Sequence, residues 1–141
     1  MQRKVFRLHE VRAERAVPRP HMVIGHTDQE FAAQLHERFQ QHGYSVHLAR
    51  SGEQARFLTR RFQASLVVLE TELPEESGWL TCDKLTRESP SARVILVSPV
   101  TTGEERNFAW FVHASAIVDQ MDGADAVFDE IDEIELEPWP A

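Results

Sequence analysis

Residues 66–78 read LVVLETELPEESG: an apolar run stops at the acid Glu70, and a Leu-Pro pair and Gly78 follow it. Uninterrupted apolar runs of this kind are typical of a central parallel strand that is buried on both of its faces. The carboxyl ends of such strands form the ligand crevice of an open α/β sheet. The stretch therefore predicts a buried strand that delivers Glu70 to the edge where binding or chemistry takes place.

Short apolar runs alternate with longer amphipathic segments on both sides of this stretch. The predicted strands are residues 22–25, 44–49, 65–70, 93–98 and 115–119, and the predicted helices are 27–42, 51–62, a segment after Gly78 with Leu80 and Leu85, 104–112 and 124–134. Strict alternation favours parallel strands with right-handed crossovers and helices on both faces. We predict an α/β fold, a doubly wound five-stranded parallel sheet with five helices and the flavodoxin-like order 2-1-3-4-5.

Charge and prolines divide the chain into three parts. Residues 1–20 form a basic N-terminal extension with six Lys/Arg against two acids, and Pro18 and Pro20 separate it from a domain at residues 21–135 and a tail at residues 136–141. The rest of the chain carries nine Lys/Arg against twenty-one acids. Because Lys and Arg supply most of the affinity for nucleic acids, we expect nucleic acid to be an unlikely partner. We interpret the basic extension as a flexible arm or a solvated helix.

Composition and motifs exclude several classes of protein. With 42% apolar and 27% charged residues, the chain is expected to fold as one domain. It has neither a membrane-length apolar stretch nor a signal-peptide core, so we expect a cytoplasmic protein without membrane contact. The single Cys82 is expected to be a packing residue. Without a phosphate loop, a nucleophile elbow or an H-E-x-x-H motif, we expect no enzymatic activity. As no effector domain follows, the chain is expected to be a stand-alone module or part of a longer protein.

Taken together, these residues resemble the response-regulator receiver domains of two-component signalling, and the similarity covers roughly residues 21–134. Receivers have the same apolar strand ending in an acid, then Leu-Pro, then a glycine at the same offsets as in residues 66–78. Further similar positions are Gly43-Tyr44, residues 51–55, Ser98 and His113-Ala114. The resemblance implies the same fold, a role in phosphorelay signal transduction, and protein partners.

The resemblance also implies a pocket for aspartyl phosphorylation, and this chain lacks most of that pocket. Receivers use an acidic pair that holds Mg²⁺, an acceptor aspartate, a hydroxyl on the fourth strand and a lysine on the fifth. The corresponding residues here are His26 and Thr27, with Asp28 one place late, then Glu70, Ser98 and Gln120. Phosphoryl transfer depends on positive charge placed around the phosphate oxygens. We therefore expect no catalytic residue, weak or absent Mg²⁺ binding, and no other cofactor.

Glu70 has two interpretations at this stage, and both stay open. Its longer side chain could act as a permanent partial mimic of a phosphorylated aspartate by reaching Ser98, or it could be a hydrogen-bonded cap on a strand. His26, Asp28 and Glu70 could also converge on a transition metal. Helix capping already explains Asp28 and Thr27, so no metal site is predicted.

Receivers commonly communicate through the face made by the fourth helix, the fifth strand and the fifth helix. In the consecutive apolar residues 108–112, we expect Phe108, Phe111 and Val112 to form the inward stripe and Trp110 to point outward as an anchor. The predicted partner face comprises Trp110, Ile117, Asp119, Phe128 and Trp139, where Ile117 replaces the switch aromatic of receivers. Residues 122–137 hold eight acids and no Lys or Arg, which favours basic partners.

The leading hypothesis is a phosphorylation-independent receiver-like module, or pseudo-receiver, that acts by protein-protein interaction, with Glu70 in place of the acceptor aspartate. One alternative is an atypical phosphoacceptor that still works in a phosphorelay and uses Asp28 or Glu72 for metal. Another is a structural homodimer joined through Trp110 and the C-terminal tail.

Overall fold

The computed structural model describes residues 19–136, in which five parallel strands form one sheet in the order β2-β1-β3-β4-β5. The strands are β1 (His21–Gly25), β2 (Ser45–Ala49), β3 (Leu66–Glu70), β4 (Arg93–Ser98) and β5 (Ala116–Asp119). The helices are α1 (Gln29–Gln41), α2 (Gly52–Phe62), α3 (Gly78–Glu88), α4 (Gly103–Phe111) and α5 (Gly123–Leu136), and a short 3-10 turn, Gln120–Asp122, precedes α5. The predicted α/β class, strand order and number of helices are confirmed.

Two apolar cores cover the two faces of the sheet. The first packs α1 and α5 on the sheet and contains Phe31, Leu35 and Phe39 of α1, whose four-residue spacing in the sequence predicts one buried helix face. The second packs α2, α3 and α4 on the other face and contains Cys82. All five residues of β3 are buried, as expected of a central strand covered on both sides. Cys82 is fully buried, and burial raises the pKa of its thiol to about 12, so it is a packing residue.

The start of α1 differs from the prediction. The pattern Thr27-x-x-Glu30 predicts a capping box, but Asp28 is the N-cap, and its Oδ1 accepts hydrogen bonds from the amides of Glu30 and Phe31 at 3.0 and 3.1 Å. Thr27 is unavailable as a cap because its hydroxyl donates to Glu70. The pattern Ser51-x-x-Gln54 predicts the start of α2, and this is confirmed, since Ser51 Oγ accepts from the amide of Gln54 at 3.1 Å.

The orientation of α4 corrects a second prediction. Ala109 and Val112 face the core, whereas Phe108 and Phe111 are 45% and 68% exposed. The prediction that Phe108 and Phe111 point inward is therefore wrong. The small Ala109 lies against the sheet, and the two phenylalanines turn towards α3, where Phe108 packs edge-on against Trp79 with ring centroids 4.9 Å apart. Leu80 of α3 is also exposed.

A partly buried ion-pair cluster joins α2 to the loop before α3. The carboxylate of Glu76 accepts hydrogen bonds from Arg56 Nη2 and Nε at 2.9 and 3.0 Å, from Thr81 Oγ1 at 2.7 Å and from Lys84 Nζ at 3.0 Å. Burial alone would raise the pKa of Glu76, but the bonds from Arg56, Thr81 and Lys84 outweigh it and lower the pKa to about 2. Glu76 is therefore fully ionised at neutral pH.

None of the helices described by the structure is long and apolar enough to cross a membrane. The basic extension up to residue 18 and the tail from residue 137, with Trp139, lie outside the described residues.

Candidate functional site

The candidate site lies at the carboxyl edge of the sheet, where the loops after β1, β3, β4 and β5 meet. β1 leads into His26, Thr27 and Asp28, and β3 ends in Glu70. β4 ends in Ser98, and Gln120 follows β5. Two groups of contacts form among these residues: Thr27 bonds to Glu70, and Asp28 contacts His26 and Gln120. Ser98 belongs to neither group.

Glu70 is 7% exposed and is held by Thr27. Its Oε1 accepts a hydrogen bond from the Thr27 amide at 2.9 Å and another from the Thr27 hydroxyl at 2.7 Å. The carboxylate is therefore directed towards the loop after β1. Glu70 makes no hydrogen bond to Ser98 in the structure, so the contact through which it could mimic a phosphorylated aspartate is absent.

His26 is buried beside this pair. Its Nδ1 accepts a hydrogen bond from the Asp28 amide at 3.0 Å and lies 3.9 Å from Glu70 Oε1. Because Nδ1 accepts a hydrogen bond in the first contact, it has no proton to donate to Glu70 in the second. The remaining nitrogen, Nε2, is buried and has no hydrogen-bond partner among residues 19–136. Nδ1 of His26 is thus hydrogen-bonded, whereas Nε2 has no hydrogen-bond partner within the described residues.

Asp28 and Gln120 occupy the side of the crevice nearest β5. Asp28 Oδ1 caps α1, and its Oδ2 lies 3.4 Å from Gln120 Nε2, a long hydrogen bond. Gln120 supplies no positive charge. Within the described part of the chain, none of the hydrogen bonds to Glu70, Asp28 or Ser98 comes from a Lys or Arg side chain.

Ser98 is fully buried and is bound to α4. Its hydroxyl is 3.0 and 3.1 Å from the two carboxylate oxygens of Glu105 and 3.0 Å from the carbonyl oxygen of Val100. Glu105 also closes a capping box with Thr102 at the start of α4. Sequence analysis missed Glu105, although the pattern Thr102-x-x-Glu105 was a readable capping-box signal. The strand-end hydroxyl is therefore engaged with a neighbouring helix.

The carboxylates of the crevice do not form a metal cluster. No group of three or more His, Cys, Asp or Glu side chains that could hold a metal ion occurs in residues 19–136. Asp28 and Glu70, which both contact His26, each accept hydrogen bonds from neighbouring residues.

Only some of the residues predicted for the partner face lie where the sequence indicated. Trp110 is 80% exposed, which confirms that it points outward. Ile117 packs partly buried against the core under α4, and Asp119 accepts hydrogen bonds from the amides of Thr101 and Met121 at 3.1 and 2.9 Å.

Phe128 does not belong to this face. Its ring lies 5.5 Å from the ring of Phe39, and the guanidinium of Arg38 lies 4.3 Å above it. Both contacts are with α1, so Phe128 faces away from α4. The prediction for Phe128 is wrong, because the sequence places it on an amphipathic helix without showing which side meets α1.

Comparisons with known proteins give a consistent result. The family model of the response regulator receiver domain matches residues 23–127. Among solved structures, a CheY-like receiver domain protein of Methanospirillum hungatei JF-1 has a TM-score of 0.74 at 17% identity, over 82% of this chain and 92% of that one. The chemotaxis protein CheY4 of Vibrio cholerae has a TM-score of 0.75 at 12% identity, over 82% and 98%.

A response regulator of Burkholderia pseudomallei, solved with a phosphorylated aspartic acid, a calcium ion and citrate, has a TM-score of 0.70 at 16% identity, over 83% of this chain and 73% of that one. A search among curated proteins found no significant match. At these identities the solved structures show similarity of fold alone.

Proposed function

Because this chain belongs to the response regulator receiver domain family, we propose that it is a signalling module that works by protein-protein interaction and is not phosphorylated. The observation that carries the proposal is the state of Glu70, whose Oε1 accepts two hydrogen bonds from Thr27 in a crevice without a bound Lys or Arg. A phosphoryl group needs positive charge around its oxygens and an acceptor free to attack in line. Among residues 19–136 no Lys or Arg side chain supplies this charge to Glu70, and Glu70 Oε1 is engaged by Thr27.

The proposal includes weak or absent Mg²⁺ binding. Mg²⁺ requires a near-ideal octahedron of oxygens and is usually held by one or two carboxylates. Asp28 Oδ1 caps α1 and its Oδ2 meets Gln120, while Glu70 Oε1 is occupied by Thr27. A cation here would compete with contacts that stabilise the start of α1 and the end of β3. The donor set is therefore a poor fit for Mg²⁺.

The same contacts hold the module in one conformation, so its signal does not depend on a conformational switch. Thr27 ties the loop after β1 to β3, and Glu105 ties α4 to Ser98 at the end of β4. Both bonds lie within the crevice where receivers sense phosphate. With these bonds made inside the chain, we propose that the position of α4 is set by folding alone.

The decisive experiment is treatment of the full chain with acetyl phosphate and Mg²⁺, followed by intact mass measurement. We expect no species heavier by one phosphoryl group, because the crevice lacks the charges that stabilise transfer. A receiver with an acceptor aspartate, treated in parallel, shows that the donor is active. Stoichiometric phosphoryl addition to this chain would overturn the proposal and favour an atypical phosphoacceptor.

Trp110 is the residue that we expect to anchor the partner. Large exposed aromatic side chains often contribute most of the binding energy of an interface. We predict that Trp110→Ala reduces recovery of the partner in a pull-down by about tenfold or more. The matched control is Phe57→Ala on α2, which removes another exposed aromatic, 55% accessible, and should leave recovery unchanged.

Light scattering of the same two variants distinguishes the kind of partner. If the wild type is a dimer that Trp110→Ala converts to a monomer, the partner is a second copy of this chain. If partner recovery is equal for the wild type and both variants, Trp110 is not part of the interface.

A further inference from the structure

Exposed apolar side chains cover the outer side of α3 and α4. Trp79, Leu80, Phe108 and Phe111 line a groove of about 340 Å³ between these two helices. Trp110 follows Phe108 on α4 and is the most exposed of the set. We call Leu80, Phe108, Trp110 and Phe111 the α3–α4 patch, and each of these four side chains is at least 45% exposed. Contiguous apolar patches on a folded domain often mark an interaction surface.

The area of the α3–α4 patch matches what a homodimer buries. Aromatic side chains have about 150–250 Å² of surface each, so at their exposed fractions the four residues present about 500 Å². The largest apolar patch of a typical monomer is about 300–600 Å², and this one is near the upper end of that range. A standard interface buries about 800 Å² of each partner, and about two-thirds of a homodimer interface is apolar. The patch therefore supplies the apolar area that one side of such an interface needs.

The rings of the patch contact one another within the chain. Phe108 packs edge-on against Trp79, and its ring is stacked with that of Phe111 at a centroid distance of 6.2 Å. Side chains that are already held in place lose less conformational freedom when a partner binds. The patch is thus largely preformed for association.

The distribution of charge favours a second copy of this chain as the occupant. α3 carries Asp83 and Glu88 against Lys84 and Arg87, so its formal charge is zero. The acidic helix α5 packs on the opposite face of the sheet from α3 and α4. Two copies can therefore meet through α3 and α4 without bringing their acidic helices together. A partner rich in Lys and Arg would be attracted to α5 instead.

The rim of the groove is also complementary to itself. In a two-fold interface the same residues of both copies meet, so the surface must offer both signs of charge. Asp83 lines the groove, and Arg87, one turn later on α3, donates from Nη2 to Asp83 Oδ2 at 2.8 Å. The side chains of Arg87 and Asp83 are 70% and 38% exposed. Each copy can therefore present one carboxylate and one guanidinium to the same pair on the other.

We propose that this chain forms a symmetric homodimer through the α3–α4 patch. The rings of Phe108 and Phe111 pack against the patch of the second copy, and Arg87 of each copy pairs with Asp83 of the other. This inference rests on the proposed function, since it names the partner of the interaction module. The interface differs from the predicted partner face because it uses α3 in place of β5 and α5.

The test is sedimentation equilibrium of the full chain between about 0.1 µM and about 1 mM. We expect the mass of two 16.2 kDa chains at the upper concentrations. Phe111→Ala should raise the dissociation constant of the dimer by about tenfold or more, because one substitution removes two rings from a symmetric interface. The matched control is Phe57→Ala, an exposed aromatic of α2 outside the patch, which should leave the dissociation constant unchanged.

A charge exchange tests the rim separately from the rings. Asp83→Arg places like charges opposite each other in the dimer and should raise the dissociation constant by about tenfold or more. The double variant Asp83→Arg with Arg87→Asp restores one charge of each sign, so it should recover most of the lost affinity. A pair that acts only within α3 would leave the dissociation constant of the dimer unchanged in both variants.

Several results would overturn the homodimer. The mass of a single chain at about 1 mM would exclude it, whereas a partner lost in a pull-down with Trp110→Ala would still support the proposed function. A dimer that neither Phe111→Ala nor Asp83→Arg weakens would contact its copy through another surface. Stoichiometric phosphoryl addition would contradict the proposed function but would leave the dimer contacts intact, so the two failures can be distinguished.

Discussion

Gly78→Ala is expected to lower the free energy of unfolding by about 3 kcal/mol or more. A Cβ on Gly78 would lie 2.0 Å from the carbonyl oxygen of Glu70 and 2.9 Å from the Cα of Thr71. Both are backbone atoms at the end of the buried strand β3, and the Gly78 amide already donates to the Thr71 carbonyl at 3.0 Å. Relief of the clash would require moving Glu70 and its bonds to Thr27. Urea denaturation monitored by circular dichroism measures the loss.

Gly103→Ala is the matched control, since Gly103 begins α4 and a Cβ there meets no atom within 4 Å. Alanine favours helix more than glycine, so this variant should be as stable as the wild type or slightly more stable. Equal stability of Gly78→Ala and the wild type would show that the loop between β3 and α3 can shift freely, and would contradict the tight packing of this loop.

The sequence predicts the sheet well because its signals are local. The apolar run before Glu70 and the stripe of Phe31, Leu35 and Phe39 each allow a single interpretation. In contrast, residues 108–112 are all apolar, so several faces of α4 could be the buried one. Packing of Phe108 against Trp79 of α3 determines which face is exposed, and this tertiary contact has no local signal.

The candidate site was predicted as a set of positions but not as a set of contacts. Strand ends place Glu70 and Ser98 at one edge of the sheet, as the sequence indicates. Their hydrogen-bond partners, Thr27 and Glu105, were not predicted. Several nearby polar groups compete for each of these hydrogen bonds, and the sequence does not show which group forms it. The salt bridge between Arg56 and Glu76 also escaped prediction, since twenty residues separate the two in the sequence.

Arg56→Met is expected to lower the free energy of unfolding by about 3 kcal/mol. Arg56 donates to both carboxylate oxygens of Glu76 and to Glu88, and its side chain is 15% exposed. Methionine keeps the apolar stem but leaves the Glu76 carboxylate with only Thr81 and Lys84 in a partly desolvated site. The control Arg60→Met removes a more exposed pair with Glu88, 48% accessible at the arginine, and should cost less than about 1 kcal/mol.

The pH dependence of the unfolding free energy lost in Arg56→Met distinguishes the contribution of the Arg56 charge from the contribution of its packing. Contacts with Arg56, Thr81 and Lys84 hold the pKa of Glu76 at about 2, against burial that would raise it from the usual 4.5. A lowered folded-state pKa stabilises the protein above the unfolded value of 4.5, and this stability is lost as the pH falls through about 2. In Arg56→Met the pKa of Glu76 rises, so the difference in unfolding free energy between wild type and variant should narrow over this acid range. A difference that stays constant down to about pH 2 would mean that Arg56 stabilises the fold by packing and not by its charge.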